Sequence, residues 1–382
     1  MRTLKDFNFK GKRVLVRCDF NVPLSEKGVV AKRTPSSSLP SLPSETKVLD
    51  DFRIKQTIPT IEYLIEKGGK IILMSHLDDP EGKVVESLRL TPIQDKLMEY
   101  LDLSVTKAPD CVGKEIEKWT KEMKPGEILL LENLRFHKEE EENDENFAKE
   151  LSKLGDIYIN DAFGACHRAH ASIVGVPKYL PSGAGFLLEK EIKTLTNLME
   201  NPKKPLIAII GGAKVETKAK FIDKISENAD FVLIGGLIEK EIEEKNIRLK
   251  NPQKIVAPVD SIDTFDIGPK TIEFFKEKIK LAKTIFWNGP LGKTEDEGFQ
   301  KGSKEIAKAI IESGTRAAAK GEEEDLSSST SVSVVGGGET VEFLGKMGLT
   351  EKFNHVSTGG GAMLDFIVDG KLVGIDALNY GN

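Results

Sequence analysis

The run Ser333-Val334-Val335-Gly336-Gly337-Gly338-Glu339-Thr340 decides how this chain is read. Apolar β-branched residues lead into three glycines and leave through an acid and a threonine into a helix-like pattern. That is a strand, a tight turn and a helix start. Glycines in such a turn let backbone N–H groups approach an anion closely, and the helix dipole favours negative charge at that end. The device recurs at His355-Val356-Ser357-Thr358-Gly359-Gly360-Gly361. It also appears earlier, at Ile209-Ile210-Gly211-Gly212-Ala213-Lys214, followed by Lys218. Glycine-rich strand ends repeated in one half of a chain predict a phosphate-rich ligand lying across a sheet edge. Neither the Walker pattern Gly-x-x-x-x-Gly-Lys-Ser/Thr nor a dinucleotide Gly-x-Gly-x-x-Gly is present.

Outward from these turns the second half reads as further strands at Pro205–Ile210, Phe231–Ile234, Lys254–Ala257, Thr284–Trp287 and Ser331–Val335. The first half reads alike, with strands at Arg13–Arg17, Lys70–Met74, Gly126–Leu131 and Asp156–Ile159, and a helix-spaced pattern from Asp51 to Lys67. Strand–helix alternation predicts an α/β fold of right-handed βαβ units, with parallel sheets flanked by helices and ligands at the carboxyl ends of strands. At 382 residues the chain is too long for one ordinary core, so two domains are expected. Leu187 to Leu198 forms an amphipathic helix suited to bridging them. Two segments break the pattern, Ser/Pro-rich Lys32 to Lys47 and Thr315 to Ser331, and both read as surface insertions.

Composition narrows the class. The chain is 39% hydrophobic and 30% charged, with a net charge of -6. That balance argues against a nucleic-acid binder or a polybasic membrane protein. No apolar run approaches the ~20 residues that span a bilayer, and the N-terminus has no apolar signal core. Cys18, Cys111 and Cys166 are odd in number and lack metal spacing, which suits reduced thiols in a cytoplasmic protein.

In the first half, polar residues cluster just after strand ends. Asp19-Phe20-Asn21 follows the first strand, and His76 follows Lys70–Met74. Arg135 follows Leu129–Leu131, His167-Arg168-Ala169-His170 follows Tyr158–Ile159, and Arg53 opens a helix. If these strand ends share an edge, Arg53, Arg135 and Arg168 converge with His76, His167 and His170. Arginine forks suit carboxylate and phosphate, so the pocket would take a small anion. Zinc at His167-x-x-His170 is the rival reading, weakened by the lack of acids at ligand spacing; His137 and His355 read as packed or capping residues. An arginine pocket beside a glycine and lysine phosphate cradle suits phosphoryl transfer between a small acid and a nucleotide. That chemistry needs alignment, neutralised charge, Mg²⁺ and exclusion of water. Arg53 and Lys214 are the candidates for charge stabilisation, and Glu339 the acid to hold Mg²⁺ with nucleotide phosphates. Trp287-Asn288-Gly289-Pro290 and Glu295 would meet adenine and ribose.

Long motifs carry a resemblance. Val16 to Pro23 (VRCDFNVP), Leu131 to Phe136 (LENLRF), Asn160 to Gly164 (NDAFG), His167 to Ser172 (HRAHAS), Gly211 to Val215 (GGAKV), Trp287 to Pro290 (WNGP) and Ser357 to Ala362 (STGGGA) resemble those of the phosphoglycerate kinase family, in family order. The resemblance covers nearly the whole chain apart from the two insertions. It implies two Rossmann-like domains with a hinge: residues 1–186 binding 3-phosphoglycerate, 187–366 binding nucleotide, and a tail, 367–382, returning to the first domain. It implies a cytoplasmic monomer that transfers a phosphoryl group reversibly between 1,3-bisphosphoglycerate and MgADP. By motif, Asp19, Phe20, Asn21, Arg53, His76, Arg135 and Arg168 would hold the glycerate. Gly212, Lys214, Lys218, Gly235, Gly236, Asn288, Pro290, Glu295, Gly337, Gly338, Glu339 and Thr340 would hold the nucleotide, with Glu339 on the metal. Arg53, Lys214 and the backbone near Gly337 and Gly360 would face the transferring group.

The chain departs from the family in three places. The family's His-Leu-Gly-Arg-Pro is His76-Leu77-Asp78-Asp79-Pro80, which puts an acid where an arginine would face the substrate. The family's Gly-Gly-Gly-Asp ends in Glu339. The stretch Gly236 to Asp266 is shorter than its family counterpart, which walls part of the adenine site. The first and third departures motivate a second reading, a degenerate relative that binds without efficient catalysis. A nicotinamide oxidoreductase would rest on fold analogy alone.

Overall fold

The computed structural model describes residues 1–25, 46–212, 215–315 and 331–380. Lys214 and all but the ends of the two predicted insertions lie outside the described residues. The chain divides into two compact units, Met1–Lys190 with Lys371–Asn382, and Glu191–Gly370.

The first unit holds strands β1 (Arg13–Arg17), β2 (Lys70–Met74), β3 (Val105–Lys107), β4 (Ile128–Leu130), β5 (Ile157–Asn160) and β6 (Ser182–Ala184), in the order β3-β4-β2-β1-β5-β6. Every pairing is parallel. The central strands are buried along almost their whole length, as expected when helices cover both faces of a sheet. Short edge strands β3 and β6 carry too few residues for a period and were not expected from the sequence. The chain returns to this unit from Lys371, four residues later than the expected tail start. Gly374 donates its N–H to Cys166 O at 2.8 Å, and Ala377 packs with Ala162, Ala165, Ile173 and Val174.

The second unit repeats the plan with β7 (Leu206–Ile210), β8 (Phe231–Ile234) and β9 (Ile255–Val256), a small antiparallel pair β10 (Ser261–Ile262) and β11 (Asp266–Ile267), then β12 (Thr284–Asn288), β13 (Val332–Gly336) and β14 (His355–Val356). Its sheet runs β14-β13-β12-β7-β8-β9, all parallel. β9 is half the expected length. Pro252 opens a helical turn through Lys254, and Pro258, which has no N–H, follows close behind. β7 leads outward through β8 and β9, and its neighbour β12 leads the other way through β13 and β14. The crevice between β7 and β12 is therefore the topological switch point where such sheets take ligands. Among the described residues, no helix is long and apolar enough to cross a membrane.

Candidate functional site

In the first unit the expected polar residues gather at the carboxyl edge. Arg53, on the Phe52–Glu66 helix, donates through Nη1 to Asp19 Oδ2 at 3.0 Å and Asn21 O at 3.2 Å. Asn21 Oδ1 in turn accepts the N–H of Asp78 at 2.8 Å, and Asp78 O accepts Arg135 Nη1 at 2.7 Å. Asp78 stands at the family's glycine and keeps the glycine's conformation, φ +55°, which aspartate tolerates better than most residues. The loop is thus gripped by backbone, and both aspartate side chains point to solvent. Asp79 is close enough for its charge to act on Arg135, the electrostatic consequence expected of an acid here. Arg135 is itself buried, with Nη2 3.0 Å from Glu141 and an Nε that has no hydrogen-bond partner among the described residues. Phe20 differs from its companions. Its ring is in the core and its N–H is already given to Ser75 Oγ at 2.9 Å.

The support beneath this edge was not visible in sequence. Arg17 is fully buried; its Nε donates to Ser172 Oγ at 2.8 Å, its Nη1 to Cys18 O, and its Nη2 to His76 Nδ1 at 3.2 Å. A guanidinium only donates, so Nδ1 of His76 accepts and the neutral ring carries its proton on Nε2. Burial first, then Arg17, Arg135, Arg53 and Arg168, hold His76 well below its ordinary pKa. His170 is pushed down to about 3 by burial and by Arg135, Arg17 and Arg168. Exposed Arg168 therefore belongs to the same electrostatic cluster, although its Nε is engaged with His167 Nε2 at 3.3 Å. Buried Glu140 answers Arg17 at 4.0 Å and accepts both the N–H and the Oγ of Ser172, at 2.9 and 2.5 Å. His167 and His170 thus sit in an arginine field, not as a pair of metal ligands. Asn133, also fully buried, accepts the N–H groups of Leu77 and Arg135 at 3.1 Å each and donates to Leu77 O at 2.8 Å.

The second unit builds its edge from backbone. Where β7 and β12 end, Gly211 donates to Asn288 O at 2.9 Å and Gly212 to Pro290 O at 2.8 Å. A Cβ on Gly211 would lie 1.9 Å from Pro290 O, and one on Gly289 2.1 Å from Gly211 O. Only glycines allow this crossing. Gly235, after β8, packs against it, its would-be Cβ 3.4 Å from Gly211 Cα. Lys218, on the Val215–Asn228 helix, is buried with Nζ on Gly211 O; burial pushes its pKa down, opposed by Glu339 and Glu241. Gly337 caps the Gly338–Lys346 helix at φ +94°, and Gly360 caps the Gly361–Asp369 helix at φ +51°. Thr340 Oγ1 accepts the Gly289 N–H at 2.8 Å and is fully buried, so this hydroxyl ties two glycine turns together. Asn288 Nδ2 is buried with no hydrogen-bond partner among the described residues, just where a Cβ on Gly337 would strike it at 2.8 Å. At Gly236 and Gly338 a Cβ would meet open space. Glu295 and Glu339 both line a pocket of about 240 Å³, with Lys304, Phe343 and Lys346.

The residue here that sequence reasoning missed is Glu191. Its Oε1 accepts the Thr358 N–H at 2.6 Å and Oγ1 at 3.0 Å, and Oε2 pairs with His355 Nε2 at 2.8 Å. One buried carboxylate from the Phe186–Glu200 helix thus anchors β14 and the glycine turn behind it.

Such an architecture defines a two-unit α/β protein with two parallel-sheet edges rich in hydrogen-bond donors, one made of side chains and the other of backbone. A family model described as phosphoglycerate kinase matches residues 39–247 and 238–371. Phosphoglycerate kinase of Borrelia garinii is 41% identical, with 99% of each chain covered, and that of Dictyoglomus turgidum 41%, with 98% of this chain and 97% of the other. Among solved structures, phosphoglycerate kinase from Pyrococcus horikoshii aligns with a TM-score of 0.81 at 32% identity, over 100% of this chain and 99% of that one. The Coxiella burnetii enzyme aligns at 0.75 and 30%, over 99% and 98%. The chain belongs to the phosphoglycerate kinase family, and with it to the phosphotransferases.

Proposed function

We propose that the chain catalyses reversible phosphoryl transfer between 1,3-bisphosphoglycerate and MgADP, giving 3-phosphoglycerate and MgATP, as a cytoplasmic monomer. The observation that carries the reading is a pair of buried donors, Arg135 Nε at one edge and Asn288 Nδ2 at the other, without partners among the described residues. Buried donors are normally satisfied, so each awaits an acceptor such as a phosphate or carboxylate oxygen.

At the first edge Arg53, Arg135, Arg168 and the Nε2–H of His76 would hold the glycerate phosphate and carboxylate. Because His76 is neutral, it offers a fixed hydrogen bond while the arginines supply the charge. At the second edge the N–H groups near Gly337 and Gly360, with Lys214 and Lys218, would take the nucleotide phosphates, and Glu295 the ribose. The donor set fits Mg²⁺: one exposed carboxylate, Glu339, at a helix start beside a phosphate cradle leaves the remaining positions to phosphate oxygens and water. Bound there, Mg²⁺ would neutralise phosphate charge. Transfer needs the carboxylate oxygen, phosphorus and leaving oxygen in line, with charge spread on the equatorial oxygens. Arg53 would meet that charge: its brace to Asp19 through one nitrogen supports this, since the other N–H groups are left for the substrate.

Coupled turnover with 3-phosphoglycerate and MgATP tests the proposal. Wild type should turn over, and Arg53→Ala should lose about 10²–10³-fold in kcat, the usual cost of removing one charge-stabilising donor. Folded wild type that binds nucleotide without turnover would overturn it in favour of a non-catalytic relative.

A further inference from the structure

A cluster after the two outermost strands of the first sheet, β3 and β4, remains without a role. Asp110 and Cys111 follow β3, and His137 follows the Leu134–Phe136 turn after β4, the neighbouring strand. The candidate ligand atoms of these three residues lie within 4.8 Å of one another. His137 Nε2 is 2.7 Å from Asp110 Oδ1, and the imidazole is stacked on Phe147 with ring centres 5.2 Å apart. Asp110 is half exposed, His137 is partly exposed and the thiol is buried beneath them. The cluster therefore opens to solvent on its carboxylate and imidazole side.

From this geometry we propose that Asp110, Cys111 and His137 form a binding site for a soft divalent cation of the zinc class, with water as the fourth ligand. Thiolate and imidazole select zinc-like ions, whereas Mg²⁺ prefers an all-oxygen shell. Tetrahedral bonds of about 2.0–2.3 Å place ligand atoms roughly 3.3–3.8 Å apart, so the 2.7 Å imidazole–carboxylate contact must open by at least about 0.6 Å while any wider pair closes by up to about 1 Å. Net charge is conserved in the exchange. His137 Nε2 pairs with the Asp110 carboxylate at 2.7 Å, burial pushes the thiol well up, and Asp110 pulls the imidazole up, so the ion must displace protons that are held more tightly than usual. With both protonated, thiol, carboxylate and imidazolium sum to zero charge. Thiolate, carboxylate, neutral imidazole and one divalent cation also sum to zero. Binding thus replaces two protons by one metal ion and leaves no new buried charge. Sequence spacing hides the site because its two halves come from loops after different strands. The ion would pin the loop carrying Arg135 to the one after β3.

The test is titration of full-length, metal-stripped protein with Co²⁺ alone, then Zn²⁺, without nucleotide or substrate. We expect one cobalt per chain with a thiolate-to-cobalt charge-transfer band, displaced by zinc with release of more than one proton per ion near neutral pH. Cys111→Ser should abolish the band. His137→Gln, which keeps the thiol and should fold even if the serine variant does not, should weaken binding at least about tenfold. Absence of a sulfur band in wild type, a band that survives Cys111→Ser, or unchanged affinity in His137→Gln would each overturn the proposal.

Discussion

The two edges, proposed to hold multiply charged anions, are built by opposite means. The first unit gathers long side chains and braces them from below with Arg17, Glu140 and Asn133, all buried. The second removes side chains, so that Gly211, Gly289 and Gly337 expose backbone where a Cβ would collide. The difference teaches where each is fragile: a side-chain site fails when a charge loses its partner, and a backbone site fails when anything is added.

The comparison breaks most sharply at Arg17. Removing it by Arg17→Ala leaves Glu140 buried without its cation and should cost about 3–5 kcal/mol in denaturant unfolding. Pairing it with Glu140→Gln should return part of the loss, so strictly additive losses in that cycle would mean the two do not act together. Gly289→Ala attacks the other edge. The new methyl meets backbone oxygen, so about 3 kcal/mol of stability and nucleotide binding should go together, whereas Gly338→Ala, with no protein atom near its methyl, should leave stability nearly unchanged.

Smaller effects sharpen the contrast. Asp161 is buried in the first unit, accepts the N–H groups of Leu187 and Leu188 at 2.9 and 3.2 Å, and burial pushes it up to about 7. A carboxyl raised above its unfolded value contributes stability at low pH that is lost as pH rises through the folded pKa. Relative to Asp161→Asn, wild type should therefore lose on the order of 2 kcal/mol between about pH 5 and pH 8, and a flat difference in melting temperature would remove Asp161 from the account. Least of all, Asp79→Arg replaces a charge felt by Arg135. It should lower KM for 3-phosphoglycerate several-fold at low salt, fading near about 1 M salt as exposed charges are screened. No change at low salt would mean that the acid never faces the substrate.

What sequence could show follows the same divide. The glycine turns were legible because an apolar run, glycines and a helix pattern are contiguous, and Arg53, His76 and Arg135 because each stands at a strand end or helix start. The bracing was not. Arg17 meets Ser172 across 155 positions and Glu191 meets Thr358 across 167, with no local pattern linking them. Asp78 shows a subtler limit. It stands where the family has glycine, yet its backbone keeps a glycine's conformation, donates its N–H to Asn21 and accepts from Arg135 at its C=O.

The crossing of Gly211 and Gly289 has a consequence for how such a protein can change over generations. Each glycine is hemmed in by main-chain oxygen of the opposite loop, Gly211 by Pro290 and Gly289 by Gly211. No flexible neighbour can retreat to make room for a larger residue. A single substitution at either position therefore has no cheap repair elsewhere in the chain. Descendants that lose one of the pair should have rebuilt the whole strand-end crossing, while position 78, held by its backbone, can still exchange among the few residues that accept its positive φ.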